Sequence, residues 1–167
     1  MCKKMKVALI IFLVLASSAS LAREFTQNGN SMSPTIDHGE SVEVGIVSAF
    51  FYEPKRWDIV IFSNPNGQMN GLIGRIVGMP NEKIFIDESG LHINSRLMLL
   101  PKKMRKAGIH YLPPNKTMAS ALYKNNREYQ TGSSEFFILG DNSFAARDSR
   151  FFGPVHRDEI ANKVENR

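Results

Sequence analysis

From Ser41 onward the apolar residues fall into short runs rich in β-branched and aromatic side chains, each closed by turn-forming residues, a pattern that predicts strands rather than helices. The runs are Ser41 to Val47, Asp58 to Ser63, Leu72 to Gly78, Lys83 to Asp87, Leu91 to Asn94 and Glu135 to Leu139. Turns are expected at Asn64-Pro65-Asn66-Gly67 and Met79-Pro80-Asn81-Glu82, and Glu88-Ser89-Gly90 is expected to close a hairpin. The chain therefore reads as all-β. One stretch, residues 101–131, resists this reading: Pro113-Pro114 interrupts it and Lys116 to Lys124 allows a short helix, so it is expected to be an insertion hanging off the sheet.

The N-terminus follows a different pattern. Lys3, Lys4 and Lys6 precede an unbroken apolar run, Val7 to Ala16, and then the small and polar residues Ser17 to Ala22. This is the layout of an export signal, with cleavage expected after Ala22. Ten apolar residues cover only about 15 Å of helix, roughly half a bilayer core, so a membrane anchor is the other reading and would have to recruit the serine-rich segment. Residues 1–22 are thus a signal peptide or a short anchor. Residues 23–167 form one domain, exported to the extracytoplasmic side.

Charge changes little beyond this. The 167 residues carry 21 Lys plus Arg against 16 acids, and without the three N-terminal lysines the balance falls to about +2, so nucleic acid is not an expected partner. The single cysteine, Cys2, lies in the N-terminal segment, which leaves the domain without thiol or disulfide chemistry. His38, His92, His110 and His156 show no paired ligand spacing, and no metal or other cofactor is expected. The cluster Lys102, Lys103, Arg105, Lys106 reads as a solvated face, with contact to anionic lipid head groups as the alternative.

The candidate chemistry sits at Asn28-Gly29-Asn30-Ser31-Met32-Ser33-Pro34-Thr35-Ile36, where a small hydroxyl residue stands between a flexible Asn/Gly run and a proline. Pro34 biases Ser33 away from helical geometry, so Ser31 to Thr35 is expected to run as a short open strand presenting Ser31. Alone, such a serine most often just satisfies a turn.

A second stretch alters that balance. Gly140-Asp141-Asn142-Ser143-Phe144-Ala145-Ala146-Arg147-Asp148-Ser149-Arg150-Phe151-Phe152-Gly153-Pro154-Val155, together with Ser31 to Thr35, closely resembles the type I signal peptidases. Trp57 to Phe62, Arg75 to Ile84 and the hairpin Gly90 to Asn94 resemble further segments of that family, in the same order. The resemblance implies coiled antiparallel β-sheets outside the cytoplasm and a Ser/Lys endopeptidase that removes signal peptides from exported proteins. It implies that Ser31 is the nucleophile, with its own N–H in the oxyanion hole, and that Met32 and Pro34 lie beside the substrate. Asp148 with Arg150, and Arg75 with Asp141, are implied to be supporting ion pairs. The implied partners are extended signal-peptide segments and the membrane surface.

The sequence also departs from that family. The general-base lysine belongs immediately before Arg75, where this chain has Gly74. Arg75 cannot replace it, because a guanidinium stays protonated at any usable pH. The serine that orients the lysine is here Ala146, and the auxiliary oxyanion hydroxyl found in some members is Gly29. Two readings follow. One is a serine endopeptidase whose base comes from elsewhere, such as a lysine of the insertion or a partner protein. The other is a non-catalytic protein of the same fold that binds exported chains or an active relative.

Overall fold

The computed structural model describes residues 22–45, 52–65, 71–114 and 128–165. The chain runs β1 (Ala22–Thr26), β2 (Ser41–Gly45), β3 (Ile59–Phe62), β4 (Leu72–Gly78), β5 (Lys83–Asp87), β6 (Gly90–Ile93), β7 (Arg96–Leu97), the short helix α1 (Lys102–Lys106), β8 (Tyr129–Gln130), β9 (Glu135–Leu139), the helical turn α2 (Ser149–Phe152), β10 (Val155–His156), a 3-10 turn (Arg157–Glu159) and β11 (Ile160–Lys163). All pairings are antiparallel. They build a two-stranded sheet β1-β2, a five-stranded sheet β10-β9-β4-β3-β11 and a four-stranded sheet β7-β6-β5-β8.

The five-stranded sheet is the centre because it is covered on both faces. All of β3 is buried, as is β4 from Ile73 to Gly78. Side chains alternate across a strand, so Ile59, Ile61 and Ile73 pack on one face with Val42, Val44, Met32 and Ile36, while Val60, Phe62, Ile76 and Ile138 pack on the other with Val155 and Ile160. A third cluster, including Val77, Ile84, Ile93 and Phe137, joins this sheet to the four-stranded one.

All six expected strands form, within a residue or two of their predicted ends; residues 46–47 of the first expected run and the 116–124 segment lie outside the described residues. Two expectations are corrected. Ser31 to Thr35 is not an open strand but a tight turn, in which the Met32 carbonyl accepts from the N–H groups of Thr35 and Ile36 at 2.8 and 3.1 Å. The reason is apolar: Met32 and Ile36 are fully buried, and coiling the chain puts both into one core cluster. The first part of the insertion does not hang free either. Leu100, Met104, Ile109 and Tyr111 are buried in the third cluster, so α1 shows only its basic face to solvent. Among the described residues no helix is long and apolar enough to cross a membrane, and the run Val7 to Ala16 lies outside them.

Candidate active site

Ser31 lies in the loop between β1 and β2. The loop is closed at its base by two backbone bonds of 2.8 Å, Gln27 N–H to the Glu40 carbonyl and Gly39 N–H to the Gln27 carbonyl. Its far side is clamped to the loop after β9: the Asn142 N–H donates to the Ser31 carbonyl at 3.0 Å. Gly140 makes that approach possible, since a Cβ there would stand 2.5 Å from both the Ser31 carbonyl oxygen and the Ala146 Cβ.

Ser31, Gly74, Ala146 and Asp148 come together around one cleft of about 230 Å³, to which Thr26, Gln27 and Asn28 at the end of β1 also contribute. Met32 and Pro34 do not line it. The Met32 side chain is buried in the core beneath the loop, and Pro34 borders a separate depression beside His110 and Phe144. Neither side chain is thus brought to the cleft at Ser31.

The hydroxyl of Ser31 accepts a hydrogen bond from Gln27 Nε2 at 2.9 Å, and the same nitrogen donates to the Gly29 carbonyl at 3.1 Å. The carbonyl can only accept, which fixes the nitrogen end of the amide. An amide is not a base, so Gln27 orients the hydroxyl without being able to take its proton. The Ser31 N–H donates to no acceptor among the described residues. Gln27 escaped the sequence reading because nothing in its neighbourhood marks it; only closure of the loop returns it to Ser31.

The position before Arg75 is filled. A Cβ on Gly74 would meet Ile138 Cγ2 at 2.6 Å and Phe62 Cε1 at 2.9 Å. Strand register explains this: Gly74 pairs with Val60 on β3, Ile76 pairs with Ile138 on β9, and side chains from both neighbouring strands close over the missing one.

The other supporting residues are densely bonded. Arg150 grips Asp148 with two charge-assisted bonds of 2.8 Å, and both residues are buried. Asp148 Oδ2 also accepts from the Gly140 N–H at 3.0 Å, while Arg150 Nη1 donates to the carbonyls of Leu112 and Ser143 at 2.7 and 3.1 Å. Both oxygens of Asp148 are thus engaged, although the residue borders the cleft. Arg75 makes a second bidentate pair, Nε to Asp141 Oδ1 at 2.8 Å and Nη2 to Oδ2 at 2.6 Å. The Tyr111 hydroxyl donates to Asp141 Oδ1 at 2.9 Å, and Thr35 Oγ1 donates to Oδ2. Burial, reinforced by the Asp141 charge, pushes the Tyr111 hydroxyl well above its ordinary pKa, so it stays a donor.

Histidine supplies no base at the serine. His38 Nδ1 accepts from the Gly29 N–H at 2.9 Å, which places the proton of a neutral ring on Nε2, and His38 does not border the cleft. Among the described residues no lysine or histidine hydrogen-bonds Ser31 Oγ, and Lys116 and Lys124 of the insertion lie outside them.

Comparison with known proteins finds similar chains. A family model described as signal peptidase, peptidase S26, matches residues 2–167. Signal peptidase I V of Bacillus subtilis is 29% identical over 147 residues, covering 86% of this chain and 83% of that protein. Signal peptidase IB of Staphylococcus aureus strain COL is 26% identical over 165 residues, 96% of this chain and 84% of that protein. A crystal structure of a signal peptidase I from Enterococcus faecalis aligns over 67% of this chain and 97% of the other, at 24% identity and a TM-score of 0.47.

Proposed function

Because the chain belongs to the signal peptidase family, peptidase S26, we propose that it is a serine endopeptidase of the signal peptidase I type, cleaving signal peptides from exported proteins with Ser31 as nucleophile. It acts at the extracytoplasmic side, beside the membrane surface through which its substrates emerge. The observation that carries this reading is the state of Ser31: its hydroxyl is held on the wall of a cleft by Gln27, and its N–H donates to no acceptor among the described residues. An extended substrate segment laid along the end of β1 would bring a carbonyl carbon to Oγ and its oxygen to that N–H. As Oγ bonds to carbon its proton must pass to a base, and neither the Gln27 amide nor the Arg75 guanidinium can take it. The base therefore comes from a lysine of the insertion or from a partner protein, and the reaction is slow. General-base catalysis is worth about 100- to 10,000-fold, so cleavage of a signal-peptide precursor is expected to be slower by that order than with a relative that keeps the lysine, and to vanish in Ser31→Ala.

One observation supports a second reading, a non-catalytic protein that binds exported chains or an active relative: a Cβ on Gly74 would stand 2.6 Å from Ile138 Cγ2 and 2.9 Å from Phe62 Cε1, which leaves little room for a side chain there. The same experiment separates the two. Ser31-dependent cleavage supports the peptidase; peptide binding with no cleavage, or cleavage indifferent to Ser31→Ala, removes it.

A further inference from the structure

The cleft at Ser31 is bordered by two charged residues, Asp148 and Arg147, and they differ completely. Asp148 is buried and its charge is cancelled by Arg150. Arg147, the next residue back, is exposed and makes no ion pair or side-chain hydrogen bond among the described residues. Every one of the 16 aspartates and glutamates of the chain lies within the described residues. No acidic side chain therefore pairs with it, and among the described residues the cleft carries one uncompensated positive charge beside Ser31. The rest of the lining is uncharged: hydroxyl and amide groups at Thr26, Gln27 and Asn28, apolar side chains, and the small residues Gly74, Gly140 and Ala146.

We propose that Arg147 is a carboxylate-binding residue, and that the cleft takes a peptide segment bearing a carboxylate, as a free C-terminus or as an acidic side chain. A guanidinium matches a carboxylate with two parallel N–H donors, which a lysine at the same place would not do. A free C-terminus ending in small residues is also what remains when a signal peptide is cut, so such an end would stay bound where an uncharged substrate would leave. This inference rests on the reading that peptides occupy the Ser31 cleft, but it does not require that the protein cleave them.

The test is calorimetric titration of the full chain with the peptide Ser-Ser-Ala-Ser-Leu-Ala, the sequence of residues 17–22. Three forms are compared: free C-terminus, C-terminal amide, and an amide carrying one glutamate in place of a serine. A carboxylate form is expected to bind about fivefold more tightly than the plain amide, with the advantage shrinking as salt is raised. Arg147→Gln should abolish that advantage while leaving binding of the amide and the melting temperature unchanged, and Arg147→Lys should restore part of it. The free acid or the glutamate form, whichever shows the gain, identifies the source of the carboxylate. Equal binding of all three forms, or an advantage that survives Arg147→Gln, overturns the role of Arg147 and leaves the peptide cleft standing. Failure of every form to bind overturns both.

Discussion

Gly74 and Arg75 are neighbours on one strand, and the two sides of β4 they face have had opposite fates. On the Arg75 side the polar apparatus is complete: Asp141 is held by Arg75, Tyr111 and Thr35 together, and Arg75 also donates to the Trp57 carbonyl at 2.8 Å. On the Gly74 side there is no side chain, Ala146 offers no hydroxyl, and Phe62 and Ile138 have closed the gap. On the proposed reading, in which Gly74 stands where the family resemblance implies a base lysine, positioning and proton transfer are separable. Buried ion pairs are held in place by the cost of removing either partner, whether or not the site turns over. A general base has no such structural hold, and its space can pass to apolar packing.

The strongest way to break the comparison is to attack the polar side. Asp148→Ala leaves the Arg150 guanidinium buried without its counter-charge, at a cost of about 3–5 kcal/mol. For a domain of this size that is a fall in melting temperature of about 6–20 °C, measured by calorimetry. An unchanged melting temperature would mean that water replaces the carboxylate freely.

The apolar side should yield less. Gly74→Ala forces a methyl group against Ile138 and Phe62 and is expected to cost about 1–3 kcal/mol in denaturant unfolding. In an Ile138→Ala background the penalty should shrink, because Cγ2, the nearest clash, is gone; a double-mutant cycle reads the coupling directly. Gly74→Lys with Ala146→Ser is expected to stay without gain in cleavage unless Ile138 is also trimmed.

The smallest effect is a slope. Tyr111 and Tyr52 both have their pKa raised, Tyr111 by burial and Asp141, Tyr52 by burial and its bond to Asp58. A folded-state value above the unfolded one means that this stabilisation is fully present below about pH 10 and is lost as pH rises beyond it. Each tyrosine adds about 1.4 kcal/mol per pH unit to the decline in that range. Tyr111→Phe should flatten the alkaline limb of a stability-against-pH curve by about that slope.

Legibility from sequence follows the same division. The central strands β3 and β4 were plain because burial on both faces demands apolar residues in a row, and β5, β6 and β9 because they alternate or carry aromatics. β1 was not, since Arg23, Glu24 and Thr26 are exposed and only its pairing with β2 makes it a strand. β11 was hidden by Asn162, a buried polar residue where the pattern asks for an apolar one; its amide is satisfied by the Gly45 carbonyl. At the site, the Arg75–Asp141 contact is readable only through family resemblance, because the two residues are far apart in the chain and meet only when β4 and the loop after β9 are assembled; Asp148 and Arg150 are two residues apart, and what the local sequence does not show is that their pair is buried. The closing of the Gly74 space depends on which residues of β3 and β9 lie opposite, a register no single segment encodes.

The segment His110 to Leu112 limits how this chain can be recombined with a relative. Tyr111 bonds Asp141, Ser143 accepts from the Leu112 N–H and donates to the His110 carbonyl, and Arg150 reaches the Leu112 carbonyl. Residues 140–150 are therefore not a portable cassette. A chimera that imports this loop from a relative inherits three sockets cut for another chain's crossing segment, and must carry that segment with it to fit.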